Sequence, residues 1–296
     1  MNRTLRNPLT YLLFLIVPAA FYFVFFFYPV IQTFRIGFTS SNGIGMGKFI
    51  GFQNYVRALT DDPIFWSAFY NNVYFILSSI FIQIPIIIVL AVLISEIRGF
   101  RNFYKITVFL PSILSTAVVA VIWRFAIYHP DVGAANKFLT AVGLSKFTHA
   151  WLGEEGYATL AILITNAWQW TGFYVVLVLA AIFSIPKEIL EAADTDGARG
   201  FRKLRSITVP LLRPVIIVII LLSITGAMKS MDIVIVMTGG GPYRSSDVMA
   251  THMTNMAFRN GEYGYGNAIA NLIFVFTLVI TLIFNFISKK YGDVES

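Results

Sequence analysis

Six stretches of this chain, near residues 9–37, 70–97, 104–128, 158–183, 214–237 and 267–288, are each long and apolar enough to cross a lipid bilayer. A crossing of the hydrocarbon core takes about 20 residues at helical rise. Water is absent there, so every backbone N–H and C=O must be bonded within the segment, and runs of this length are expected to be helices. Charged residues make up 12% of the 296, about half the share usual in soluble domains, which excludes a water-soluble globule. The expected fold is an all-α membrane protein with six transmembrane helices, a single transmembrane domain over residues 1–296. The first run contains Pro18 and Pro29. Its apolar core is too long for a signal peptide and no small-residue cleavage site follows, so it is read as a retained span.

The Lys/Arg distribution sets an expected orientation, because cytoplasmic loops carry the excess. The N-terminus, the link at 98–105, the segment 185–213 and the C-terminal tail hold about 13 of the 22 basic residues. These are Arg3, Arg6, Arg98, Arg101, Lys105, Lys187, Arg199, Arg202, Lys203, Arg205, Arg213, Lys289 and Lys290. The loops at 38–69, 129–157 and 238–266 are together longer but hold only Lys48, Arg57, Lys137, Lys146, Arg244 and Arg259. Both termini are therefore expected in the cytoplasm, with three external caps opposite. The net charge of +7 then records topology and is not the footprint of a nucleic-acid-binding face.

Little in the chain suits covalent chemistry. There is no cysteine, hence no disulfide, thiolate nucleophile or Cys-based metal site. His129, His149 and His252 lie in or beside the external loops without metal-ligand spacing, and read as interfacial histidines. The pairs Asp61, Asp62 and Glu154, Glu155 read as solvated loop charges rather than acid/base couples. No serine sits in a GxSxG elbow. Gly47-Lys48 is followed by Phe49 and lacks the upstream glycine of a P-loop. The expectation is no enzyme, no catalytic residue, no metal and no cofactor held by this chain.

Polar groups at membrane depth are costly and point to function by default. Lys229 and Asp232 lie three apart in the fifth span, placed to share one helical face. They either line a polar path or pair structurally near the outer helix end. Asn166, Trp168, Gln169, Trp170, Thr171 and Tyr174 cluster in the fourth span, with Gln83 in the second, Ser223 and Thr225 in the fifth and Asn271 in the sixth. Amides and hydroxyls among aromatic faces suit a neutral polyol such as a sugar. Interhelical hydrogen bonding would use the same residue types. Rings of charge or a filter motif, as in ion channels, are not visible.

The segment 184–214 reads as a two-helix hook. Ser184, Pro186 and Glu188 form an approximate start signal, Asp196-Gly197 supplies a break, and Phe201, Leu204 and Ile207 make an apolar stripe at helical spacing. Acids gather on its first helix and bases on its second, which suits docking to a partner or to anionic lipid.

This hook also carries a resemblance. Glu191-Ala192-Ala193, then Gly197, then Ile207-Thr208-Val209-Pro210-Leu211-Leu212-Arg213-Pro214 resembles the EAA loop (185–213 here) of binding-protein-dependent ABC importer permeases, in particular the carbohydrate, maltose-type branch. Met237-Thr238-Gly239-Gly240-Gly241-Pro242, Phe52 with Asn54-Tyr55, and Phe258 with Gly264-Tyr265-Gly266 and Ala268-Ile269-Ala270 are similar to further stretches of that family. Gly172 stands where relatives carry a proline near the Trp-rich fourth span, so bending there is expected to differ. Nothing resembles the extra N-terminal spans or large periplasmic insertion of some members, so the compact six-span form is expected.

The resemblance implies a type I importer permease of the cell membrane of a bacterium or archaeon, working in an ATP-driven system. It implies as partners a second homologous permease subunit, two cytoplasmic ATPase subunits carrying ATP and Mg, and an extracytoplasmic solute-binding protein. Glu191, Ala192, Ala193 and Gly197 would lie on the helix that couples to an ATPase, and the cargo would be a carbohydrate, in the first place an oligosaccharide. Asn166, Gln169, Trp170 and Asn271 are the expected path residues. A secondary sugar or ion transporter working without ATPase subunits is the alternative, with Asp232 its one candidate relay acid.

Overall fold

The structure is a computed structural model that describes residues 8–45, 47–97 and 99–290. Arg3, Arg6, Arg98 and the side chain of Lys290, all part of the basic bias above, lie outside the described residues. Among the described residues the fold is helical, with no strand beyond two isolated bridges, Thr39 to Phe49 and Gly43 to Gly45.

Among the described residues four helices are long and apolar enough to cross a membrane: α1 (Phe14–Gly37), α2 (Pro63–Glu96), α5 (Tyr157–Ser184) and α11 (Tyr263–Lys290). Two bent pairs raise the number to six if each pair is one span. The first pair is α3 (Arg101–Ile113) and α4 (Thr116–Ile127), which meet at 95°. The second is α7 (Gly200–Leu211) and α8 (Arg213–Met228), at 72°. Between α5 and α7 lies α6 (Lys187–Thr195); beyond α8 lie the short helices α9 (Met231–Met237) and α10 (Met249–Thr254).

The third and fifth apolar runs are thus not single rods, and the reasons are local. Pro111 sits inside α3 and deprives the carbonyl four residues back of its donor. Ser115 then restarts the helix as its N-cap, its Oγ accepting from Val118 N at 3.4 Å. The carbonyl of Leu114, freed at the break, accepts from Gln169 Nε2 at 3.2 Å. The second interruption falls at Lys229 and Ser230, so Lys229 and Asp232 do not share one continuous helix as expected. There Ala227 O accepts from Ser230 Oγ at 2.8 Å and from Asn72 Nδ2 at 2.6 Å. The second span begins at Pro63 rather than near 70; its 34 residues reach about 51 Å, past a hydrocarbon core of about 30 Å.

The chain divides into two compact units: residues up to Asp62 with Met253–Val275, and Pro63–His252 with the segment from Phe276 onward. In the first, Asn54 Nδ2 donates to the carbonyls of Gly37 and Thr39, both at 2.9 Å, closing the end of α1. Gly264 N donates to Ser41 O at 2.8 Å. Arg57 pairs with Glu262 at 2.6 Å and lies 4.0 Å over the Tyr265 ring, whose hydroxyl donates to Asp62 at 2.5 Å.

In the second unit, Ile84, Ile87 and Ala91 of α2 pack with Val175, Val178 and Leu179 of α5, with Leu212 just before α8 and with Ile219 of α8. Burying apolar side chains gains little within lipid, so close backbone approach and shape decide such contacts. Gly172 is the clearest case: a Cβ there would run into the carbonyl of Val108 on α3. Helix α5 passes through Gly172 without a break, so the position serves contact rather than bending.

Candidate functional site

The second unit encloses a cavity of about 380 Å³, within the size range of small-ligand sites. A π turn at Ser79–Gln83, just before Pro85, brings Ser79 and Gln83 to its wall. Thr116 enters from α4, Asn166 and Trp170 from α5, and Ser223 and Thr225 from α8. Lys229 and Ser230 line the same cavity from the break after α8, and Asp232 from the first turn of α9. Several of these groups satisfy one another. Ser79 Oγ lies 2.9 Å from both Gln83 Oε1 and Ser223 Oγ, and Gln83 Nε2 donates to Ala167 O at 3.2 Å.

Others have no partner among the described residues. Asn166 is half-buried and its amide makes no hydrogen bond among the described residues. Among the described residues the Trp170 ring makes one aromatic contact, edge-on to Phe173 at 6.3 Å. Lys229 and Asp232 are both exposed and make no ion pair among the described residues. The cavity therefore presents an amide, an indole, hydroxyls and one charge of each sign.

Two of the four expected path residues fall elsewhere. Gln169 is 1% exposed and fastened to the break between α3 and α4, through Leu114 O and Thr116 Oγ1. Asn271 belongs to the first unit, where its Nδ2 lies 2.7 Å from Tyr55 Oη and 3.4 Å from Thr33 O. Residue type and depth did not separate these structural amides from Asn166; only the identity of the facing element does.

The hook is built as a helix end in a specific form. Ser184 does not cap α6: its Oγ donates back to Ala181 O at 2.7 Å, and Pro186 stands at the N-cap. At the other end Ala198 N donates to Ala193 O at 2.9 Å and Gly197 N to Asp194 O at 3.2 Å. With Gly197 at φ +77°, these bonds make a Schellman cap. Lys203 Nζ donates to Asp194 Oδ1 at 2.7 Å, tying α7 to α6. The four expected coupling residues differ in setting: Ala193 is buried against the cap, while Glu191, Ala192 and Gly197 face outward. Within the apolar stripe Leu204 and Ile207 are half-buried, but Phe201 is 74% exposed.

The glycine-rich stretch after α9 is fastened by side-chain bonds that the sequence hides. Thr238 Oγ1 lies 2.8 Å from Ser246 Oγ, and Ser246 Oγ donates to Gly241 O at 2.5 Å. Asp247, fully buried, pairs with Arg244 and accepts from Thr251 Oγ1 at 2.7 Å. A Cβ on Gly240 would meet the Asp247 carboxylate. From α2, Asn71 Nδ2 donates to Ser245 O and Asp247 O, and Asn72 Oδ1 accepts from Met249 N at 2.9 Å. Asn71 and Asn72 drew no attention in the sequence; an adjacent amide pair inside a span was the available signal. His252, expected at an interface, is fully buried with Nδ1 3.0 Å from Arg244 Nη2. Glu154, expected to be a solvated charge, accepts from Ala150 N at 2.7 Å and pairs with His149 at 3.0 Å. The Ala150 N–H, then His149, hold its carboxyl below the ordinary carboxylate range.

Residues 58–292 match the family of binding-protein-dependent transport system inner membrane components. The chain belongs to that family. As a permease subunit of the ABC type it is 34% identical, over 94% of its length and 95% of the relative's, to the probable ABC transporter permease YurN of Bacillus subtilis. It is 33% identical to the trehalose/maltose transport system permease MalF of Thermococcus litoralis, over 88% and 87% of the two chains. In three dimensions the permease resembles a chain of a bacterial alginate ABC transporter, solved with its alginate pentasaccharide-bound periplasmic protein. That likeness has a TM-score of 0.82 and 25% identity, covering 97% of this permease and 96% of that chain. The family and the apolar helices make it a multi-pass inner-membrane protein.

Proposed function

We propose that this permease passes a carbohydrate, in the first place an oligosaccharide, through the cavity that holds Asn166 and Trp170, in an ATP-driven importer. The observation that carries the reading is the set of polar groups left unbonded there. An amide with no protein partner matches sugar hydroxyls, and an open indole packs on the C–H face of a pyranose. The relatives' trehalose/maltose and alginate cargo supports the same substrate class.

The remaining parts follow the family. The periplasmic protein in the alginate complex supports an extracytoplasmic solute-binding protein as partner. A second homologous permease subunit completes the path, and two cytoplasmic ATPase subunits bind ATP and Mg. Exposed apolar residues along α1, among them Phe14 and Phe25 at 78% and 72%, offer surface for lipid and the second subunit. The hook presents Glu191, Ala192 and Gly197 to an ATPase while Ala193 holds the turn from within. Both termini and the hook lie in the cytoplasm of a bacterial or archaeal cell, as the basic bias of those segments supports. ATP-driven closure then rocks the permease as a rigid body between two access states, and this chain performs no covalent step.

Uptake by proteoliposomes holding the intact transporter tests the reading, after calorimetry of the cognate binding protein over a saccharide panel identifies the cargo. Asn166→Ala with Trp170→Ala is expected to cut uptake about tenfold, a cost of one lost polar contact, while binding-protein-stimulated ATP hydrolysis persists. Unchanged uptake, or a binding protein that takes no saccharide, refutes it.

A further inference from the structure

We propose that the groove between α8 and the last turns of α11 binds an anionic phospholipid of the leaflet on the hook's side. The groove has a volume of about 390 Å³. Ile217 and Ile220 of α8 and Phe284 and Ile287 of α11 form its walls, with Arg213 and Ser288 at one end.

The register of these residues gives the site a direction. Arg213 opens the apolar helix α8, and Ser288 lies at the closing turn of α11. Along α8 the apolar positions follow Arg213 at four and seven residues, so they stack on one face. Along α11, Phe284 lies four residues before Ser288, one turn deeper. Both helices therefore offer a polar end at headgroup depth and apolar side chains below it, as one phospholipid with its acyl chain requires.

Charge selects the headgroup. Arg213 makes no hydrogen bond or ion pair among the described residues, and no acidic side chain lines the groove. It stands in the first turn of a 16-residue helix, where the macrodipole is already positive. An arginine is disfavoured there unless an anion joins it, and a phosphate accepts the two parallel N–H bonds that a guanidinium offers. A zwitterionic headgroup would bring an ammonium to the same place. Lys289, exposed one residue beyond Ser288, adds to the preference for net negative charge. Lipid binding in this groove depends neither on the cargo nor on the transport mechanism.

Native mass spectrometry of the full chain tests it, in micelles supplied with equal amounts of phosphatidylglycerol and phosphatidylcholine. The phosphatidylglycerol adduct is expected to dominate, and to fall about fivefold in Arg213→Gln, the effect of one basic residue at an anionic headgroup. Arg213→Lys should retain most of it. Ile217→Trp fills the groove with the charge intact and should lower the adduct as well, which covers the case in which Arg213→Gln does not fold. Equal adducts for the two lipids, or adducts unchanged in both Arg213→Gln and Ile217→Trp, would overturn the proposal. So would a cross-link from Ile287→Cys in native membranes to another polypeptide, which assigns the groove to a protein.

Discussion

Substituting Gly197 separates what the hook needs for its own fold from what a partner needs of it. At φ +77° an L-residue bears roughly 1–2 kcal/mol of strain. A Cβ built there has nothing within 4 Å, so no clash adds to that figure. The substitution also narrows the unfolded ensemble, which returns about 0.4–1 kcal/mol. Gly197→Ala should therefore destabilise the isolated subunit by about 1 kcal/mol, a shift of a few degrees in Tm for a chain of this size. Gly197→Asn should cost less, since Asn visits the left-handed region more readily. If an ATPase seats against this outward face, the same methyl group meets a second surface, and overpacking of about 1–3 kcal/mol lowers coupled uptake about fivefold or more. Thermal unfolding of the purified chain and ATP-driven uptake at matched membrane abundance measure the two effects separately. Uptake within about twofold of wild type, about 0.4 kcal/mol, would refute close approach at Gly197. A Tm loss of more than about 10 °C, beyond what 1 kcal/mol can produce, would refute the strain argument.

Asn72→Leu leaves Met249 N unpaired, a cost of about 1–3 kcal/mol, and takes from Ala227 O one of its two side-chain bonds, about 0.5–1.5 kcal/mol since Ser230 Oγ still donates to it, so unfolding in detergent should shift by about 2–4 kcal/mol. An unchanged melting curve would mean that the clamp is not formed. Gly172→Val forces α5 away from Val108, and the overpacking cost of about 1–3 kcal/mol should appear as loss of monodisperse protein on size exclusion. Wild-type behaviour would show that the two backbones do not touch. Glu154 has a depressed carboxyl, so its contribution is present above the ordinary value of 4.5 and lost as pH falls through the lower folded value. The acid change in Trp151 fluorescence, taken as the difference from Trp151→Phe, should vanish in Glu154→Gln; persistence of the change would exclude Glu154 as its source.

Much of the membrane architecture was legible because it rests on sums over neighbours in sequence. Apolar length marks a span, charge asymmetry marks an expected side, and Asp196-Gly197 marks a helix end. The break at Leu114 was partly visible through Pro111, yet the bend of 95° depends on the path taken after it. The interruption at Lys229 and Ser230 had no proline to announce it, and its free carbonyl is satisfied locally by Ser230 and from α2 by Asn72.

The candidate site divides along the same line. By itself the sequence determined that amides, hydroxyls and indoles would stand at membrane depth, and that a charged hook would join the fourth and fifth apolar runs. It also held the family resemblance that residues 58–292 bear out. Only the tertiary structure decided that Gln169 fastens a helix break, that Asn271 joins Tyr55, and that Asn166 and Trp170 are left open to a cavity. An amide's chemistry is the same in all these places. In a medium without water its role is set by whether a donor or acceptor on another element comes within about 3 Å, and that distance exists only once the helices have packed.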